Sequence, residues 1–168
     1  MVEFWEILEE NGNPTGLLHE RGKPLKKGEY HLTVSVWIEN SDGKYLISKR
    51  SVNKQYPSLW ECTGGNVIAG DDSLRTALKE TKEELGIDLN AKNGQMIRYH
   101  SRRCICNHCL NDIWLFRQNY DISAITLAPD ETCEAMWATR EEIDNMIKNG
   151  TFITWGQFSN MSELFNSN

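Results

Sequence analysis

The sequence has no run of eighteen or more apolar residues, so no membrane-spanning helix is expected. Its opening, MVEFWEILEE, is acidic and lacks the basic start and apolar stretch of a secretory signal. Positive charge is in the minority. There are 18 lysines and arginines against 24 aspartates and glutamates, for a net charge of −6 and a pI near 5.3. That balance argues against a broad surface for nucleic acid polymers. The five cysteines are odd in number and not spaced as a disulfide framework. With no export signal, a reducing cytoplasm is the expected compartment. No repeat, low-complexity tract or interdomain linker interrupts the chain.

A chain of 168 residues, 39% hydrophobic, predicts one domain over residues 1–168 with a substantial core. Within it, residues 64–87, GGNVIAGDDSLRTALKETKEELGI, carry the densest signal. A glycine-rich turn leads into a helix that ends at Gly86. At 3.6 residues per turn, Glu84 sits ~40° from Glu80, and Glu83 ~60° away on the other side, so three carboxylates share one face. Leu74, Ala77, Leu78, Thr81 and Leu85 gather on roughly the opposite side, which predicts packing on a sheet. Like charges at these spacings destabilise a helix by a few tenths of a kcal/mol per pair. A hard divalent cation removes that repulsion, because carboxylate oxygen is what Mg2+ or Mn2+ prefers.

Elsewhere the chain reads as strands and turns. Residues 1–30 predict two short strands, Phe4 to Leu8 and Leu17 to Arg21, around the turn Asn11-Gly12-Asn13-Pro14. A basic loop follows. His31 to Ile38 alternates and is rich in β-branched residues, and Lys44 to Arg50 returns from the turn Asn40 to Gly43. Gln95 to Arg103 and Asn111 to Asn119 predict two further strands. Between them, Cys104, Cys106, His108 and Cys109 invite a zinc reading. No second ligand pair is visible, and adjacent His108 and Cys109 would strain to hold one tetrahedral ion. A connection carrying reduced thiols is expected instead. Cys133 to Ala138 predicts a strand. Thr139 and Glu142 form a capping box for a helix over Arg140 to Lys148 that Gly150 ends, and Ser162 to Phe165 predicts a short terminal helix. Trp37, Tyr56, Trp114 and Trp155 could each stack on a base or serve as core.

Residues 65–87 resemble the Nudix box, G-x5-E-x7-R-E-U-x-E-E-x-G-U with U aliphatic. Gly65, Glu80, Glu83, Glu84, Gly86 and Ile87 fill their positions without a gap. Asp71 stands where the family has its first glutamate, Lys79 where it has arginine, and Thr81 where it has an aliphatic residue. The resemblance implies an α/β Nudix fold, a mixed β-sheet sandwiched between α-helices, here with an N-terminal β-hairpin extension over residues 1–30. It implies a pyrophosphohydrolase that attacks a nucleoside diphosphate-X type substrate with water. Glu80, Glu83 and Glu84 would be metal ligands, with the Gly65 carbonyl as a further oxygen. Glu83, at the edge of that set, is the first choice for the general base. Asp112, Glu131 and Glu134 are the rivals, and Lys79 is expected to pair with a box carboxylate. Lys49, Arg50 and Arg21 are expected at the substrate phosphates. The implied partner is a small-molecule diphosphate, and a homodimer is a common state of the family.

The chain is more weakly similar to the isopentenyl-diphosphate isomerase branch. Cys62 matches one proton-transfer residue of those enzymes, Asp112 lies where the other would be, and His31 matches one of three metal-binding histidines. The other two histidines are missing, whereas the hydrolase glutamates are complete. The hydrolase is therefore expected, with isomerase chemistry and a non-catalytic diphosphate-binding module as alternatives.

Overall fold

Two of the predicted strands set the frame of the molecule. His31–Glu39 (β3) and Tyr45–Arg50 (β4) are linked by a turn in which the Asn40 side chain accepts hydrogen bonds from the backbone of Asp42 and Lys44. The computed structural model describes residues 2–102 and 108–166. In it the two strands pair only at Glu39 and Tyr45, then diverge. The segment Trp60–Glu61 (β5) pairs with β4, and Thr63–Asn66 (β6) pairs antiparallel with β3, so the chain from 60 to 66 fills the gap. This crossing opens the sheet and makes room for a cleft.

On its other side β3 runs parallel to Cys109–Arg117 (β8), from His31 opposite Cys109 to Glu39 opposite Arg117. Gly94–Arg102 (β7) pairs antiparallel with β8, and Thr132–Ala138 (β9) antiparallel with β4. The seven strands form one mixed sheet. Phe4–Leu8 (β1) and Pro14–Glu20 (β2) form a separate antiparallel pair. The second strand begins earlier than its sequence suggests. Proline is tolerated at the first position of a strand, and the Asn11 side chain closes the turn by accepting from the Asn13 backbone at 2.9 Å.

Period-two alternation along β3 divides the core. Val34, Val36 and Ile38 meet Ala77 and Leu85 of the helix Ser73–Leu85 (α1). Trp37 points to the opposite face and packs with Tyr45, Ile47 and Ile113. There Ile143 of the helix Arg140–Lys148 (α2) and Met161 and Leu164 of the helix Met161–Asn166 (α3) complete the layer. The sheet is thus covered by helices on both sides. Thr139 and Glu142 make the predicted capping box of α2, whose C-cap is Asn149, one residue before the expected glycine. Among the described residues no helix is long and apolar enough to cross a membrane.

The end of α1 depends on Gly86. Its φ of 69° is left-handed, and its N–H closes the helix on the Lys82 carbonyl at 3.0 Å. A Cβ there would lie 3.0 Å from the Thr126 side chain. Gly86→Ala is expected to lower stability by about 1–2 kcal/mol from the left-handed conformation alone, measured by urea unfolding. A loss below a few tenths of a kcal/mol would mean the helix end re-forms without it.

Candidate active site

The helix α1 starts at Asp72, whose side chain accepts from the Arg75 backbone at 2.7 Å. Its apolar side is held against β3 and Phe116, so its rotation is fixed and Glu80, Glu83 and Glu84 turn toward the opening between β3 and β4. There they line a cleft of ≈ 920 Å³. The Glu80 carboxyl lies directly over Gly65 of β6, in the space that a side chain at 65 would need. Gly64 is equally constrained, because a Cβ there would collide with the Val34 carbonyl of β3. The two glycines let β6 pass between strand and helix.

The other cleft walls come from separate parts of the chain. The β1–β2 hairpin contributes Glu3, Trp5 and Arg21, and an Ala69 N–H to Phe4 carbonyl bond of 2.8 Å ties it to the loop before α1. His31 lies under Trp5, with ring centroids 4.0 Å apart and planes 10° from parallel. The loop between β4 and β5 brings Lys54 and Tyr56, and Trp155 closes the far side, edge-on to Tyr56 at 5.8 Å. Tyr56 and Trp155 both have φ of 56°, left-handed values that are costly for bulky side chains. Such strain is stored where the surroundings over-determine it, often at functional sites.

Several residues singled out in the sequence meet in this cleft. Gly65, Lys79, Glu80, Glu83, Glu84, Arg21 and Arg50 all line it. Arg21 is held by Glu3 at 2.5 Å. Arg50 is buried, with Glu61 at 2.6 Å, the Gln55 carbonyl at 2.8 Å and the Trp155 ring 5.3 Å away. Lys79 makes no ion pair among the described residues, contrary to the expected pairing with a box carboxylate.

Three expected site residues lie elsewhere. Asp112 is 1% exposed and faces a second cavity of ≈ 320 Å³, where its carboxylate accepts from the His100 backbone at 2.8 Å. It stands beside Asp72 and Ser73 at the start of α1. The box carboxylates are in the later turns, roughly 15 Å along the helix axis at 1.5 Å per residue. Lys49 shares the strand face of Ile47 rather than that of Arg50. It pairs with Glu134 at 3.3 Å, and neither residue lines the cleft. Of the cysteine cluster, Cys104 and Cys106 lie outside the described residues. Cys109 is in a disulfide rather than a reduced thiol, and the His108 ring meets the Glu29 carbonyl. Trp37 is core, Trp114 donates to Ser73 at 2.7 Å, and only Tyr56 and Trp155 of the four expected aromatics line the cleft.

Residues 29–156 match the model of the NUDIX domain family, three-quarters of the chain. The chain belongs to the Nudix family. It is 33% identical to a Nudix hydrolase of Listeria monocytogenes, over 98% of this chain and 95% of that protein. An isopentenyl-diphosphate Delta-isomerase of Citrobacter koseri is 24% identical over 82% of this chain and 77% of its own length. Among solved structures, DR0079 from Deinococcus radiodurans has the same fold, with a TM-score of 0.74, 20% identity, and coverage of 89% of this chain and 91% of that one. The chain is a Nudix pyrophosphohydrolase acting on small molecules, and enzymes of this family generally use divalent metals such as Mg2+ or Mn2+.

The Nudix helix carries an uncomfortable charge. Glu84 is almost fully buried, and burial pushes its carboxyl up to about 7, against the Thr63 hydroxyl that donates to it and the Lys54 ammonium 3.6 Å away. Burial also raises Glu80, with Glu83 adding to the rise and Lys79 opposing it. Burial pulls the Lys54 ammonium down, but Glu131, Glu84 and Glu61 together outweigh it and leave it raised. Three carboxylates of one helix, one seated on a side-chain-free glycine and one costly to ionise, have the chemistry a hard divalent ion takes, and holding one requires them to draw closer than they stand here.

Lys54, Thr63, Glu61, Trp5 and Glu3 had no sequence signal that set them apart as site residues. A lone lysine between two strand ends and just ahead of the box is the one hint that could have pointed to Lys54. Asp71, in place of the family's first glutamate, pairs with Arg75 at 3.0 Å. Buried Thr81 returns its hydroxyl to the Ala77 carbonyl at 2.8 Å, so its departure from the box adds no unsatisfied group.

Glu84 also sets a pH dependence. Its pKa is higher in the folded chain than the ordinary value of 4.5, so the folded chain holds the proton more tightly. With divalent ions chelated, the resulting stability is present below pH 4.5 and is lost as pH rises through about 7. Urea unfolding from pH 4.5 to 8 is expected to show this decline, and Glu84→Gln to flatten it. A wild-type profile as flat as that of the variant would refute the assignment.

Proposed function

We propose that the protein is a Mg2+- or Mn2+-dependent hydrolase that cleaves the diphosphate linkage of a nucleoside diphosphate-X type substrate. The observation that carries this reading is the placement of Glu80, Glu83 and Glu84 in one cleft with Arg21, Arg50, Lys54 and Lys79. The acidic set suits the cation, and the basic set offsets the net charge of −6 that would otherwise repel a diphosphate. Glu80, Glu83, Glu84 and the Gly65 carbonyl would hold the ion. When bound, it neutralises phosphate oxygens and acidifies the attacking water.

The remaining work falls to the chain itself. Arg21 and Arg50 orient the substrate phosphates, Arg21 by exchanging Glu3 and Arg50 from its seat on Glu61. The positive charge of Lys79 favours the ionised form of Glu80. Glu83, the exposed member of the box set, takes the proton from water. Its remaining rival is Glu131, which also lines the cleft. Tyr56 and Trp155 offer an aromatic rim for the group X. Cys62 lines the same cleft, which favours the isomerase as a second reading. The orientation of Asp112 into the other cavity speaks against it, because proton transfer across an allylic diphosphate needs a second acid–base group.

Phosphate release with Mg2+ or Mn2+ should be measured over nucleoside di- and triphosphates, nucleotide sugars, dinucleoside polyphosphates and isopentenyl diphosphate. Metal-dependent hydrolysis of one class is expected. Isomer formation without hydrolysis would overturn the proposal. Glu83→Gln is expected to lower kcat by about 10²–10⁴-fold, the usual worth of a general base. If Glu83→Gln turns over normally while Glu131→Gln does not, the base is Glu131.

A further inference from the structure

The cations of the cleft are differently committed. Arg50 is locked between Glu61 and the Gln55 carbonyl, and Arg21 is held by Glu3. Lys54 instead bridges two distant elements. Its Nζ lies 3.6 Å from Oε1 of Glu84 on the Nudix helix and forms an ion pair with Oε2 of Glu131, in the loop before β9. Oε2 of Glu84 is taken by the Thr63 hydroxyl, so both oxygens of this box carboxylate are engaged by the protein. Among the described residues no three acidic, histidine or cysteine side chains are gathered closely enough to hold a metal ion. Glu84, turned toward Lys54 and Thr63, has to exchange partners to join such a set.

We propose that Lys54 is an internal counter-ion that competes with the divalent cation for Glu84, and that Glu131 is the carboxylate that receives it when the cation binds. The inference rests on the reading of the box glutamates as the metal site. An ammonium and a divalent ion at one carboxylate oxygen repel each other, and at ~4 Å in a partly buried setting the energy is several kcal/mol. Lys54 has the means to move aside. Its loop is fastened near both ends, by the Ser51 N–H on the Glu131 carbonyl at 3.0 Å and the Arg50 N–H on the Leu59 carbonyl at 2.9 Å. The four-carbon stem can therefore swing while the loop stays in place. A compact ammonium on a flexible stem suits this task better than a guanidinium fork. Glu131 is about half exposed and already paired with Lys54, so the shift needs no new partner. Lys54 is thus a positioning residue, setting how readily Glu84 becomes a ligand.

The test is Mn2+ affinity, read by the electron paramagnetic resonance of free Mn2+ without substrate. Lys54→Met keeps the apolar stem and removes the charge. It is expected to bind Mn2+ about tenfold more tightly, a change well within the Coulomb scale of such a contact. Lys54→Gln should move in the same direction and serves if the methionine variant folds poorly. Lys54→Arg keeps the charge on a less yielding fork and should not bind Mn2+ more tightly than wild type; tighter binding by it would overturn the counter-ion role. Glu131→Gln should weaken Mn2+ binding more in the wild-type background than in Lys54→Met, because only with Lys54 present does it drive the ammonium onto Glu84. Unchanged or weaker binding by folded Lys54→Met and Lys54→Gln overturns the proposal and makes Lys54 a mere support for Glu84. Equal effects of Glu131→Gln in both backgrounds overturn the receiving role. A wild-type protein that binds no Mn2+ overturns the metal site and this inference together. A protein that binds Mn2+ with the predicted order of affinities but hydrolyses nothing overturns the hydrolase alone.

Discussion

Everything at the cleft follows from crowding negative charge onto one face of a packed helix, with Glu84 buried in the crowd. Packing Ala77 and Leu85 against Val34, Val36 and Ile38 leaves the helix no freedom to rotate Glu84 out toward bulk water. Glu84 is held where ionising it is expensive, and Glu80 is pressed onto Gly65. The neighbouring architecture answers that constraint. β3 and β4 part to make the opening, β5 and β6 cross it with two glycines, and Lys54 and Thr63 reach Glu84 from two directions. Together these features hold the charge cluster in place.

This arrangement draws the carboxylates and the other cleft walls from different kinds of structure. The carboxylates come from one rigid helix whose two ends are closed by Asp72 and Gly86. The other cleft walls come from the hairpin, the loop after β4 and the segment around Trp155. Rigid placement suits the chemistry, since small displacements of a ligand set are costly. Loops suit recognition, since they can change without moving the core.

Much of the scaffold was legible because its determinants are local. The alternation of β3, the capping box at Thr139 and Glu142, and the terminating Gly86 are short-range patterns that packing did not override. The box glutamates were legible for the same reason, since helical periodicity alone puts them on one face. Asp112 was not. Alternation says that it opposes Asn111, but which end of α1 it meets depends on the parallel register of β8 against β3, set by residues nearly eighty positions apart. Lys49 and Arg50 adjoin in sequence and point to opposite sides of the sheet, so only one enters the cleft. Lys54 lies in an aperiodic loop and is defined by partners at 84 and 131, contacts that no local pattern encodes. The Asn40 to Gly43 turn was plain, whereas the splaying of its strands reflects what β5 and β6 insert between them.

The match to the family domain begins at residue 29, so the hairpin that supplies Glu3, Trp5 and Arg21 falls outside it. A wall of the cleft is therefore an appendage, fastened to the box loop by the Ala69–Phe4 backbone bond. Descendants of such a protein can lengthen or trim that appendage without moving Glu80, Glu83 or Glu84, because these sit on a helix closed at both ends by its own caps.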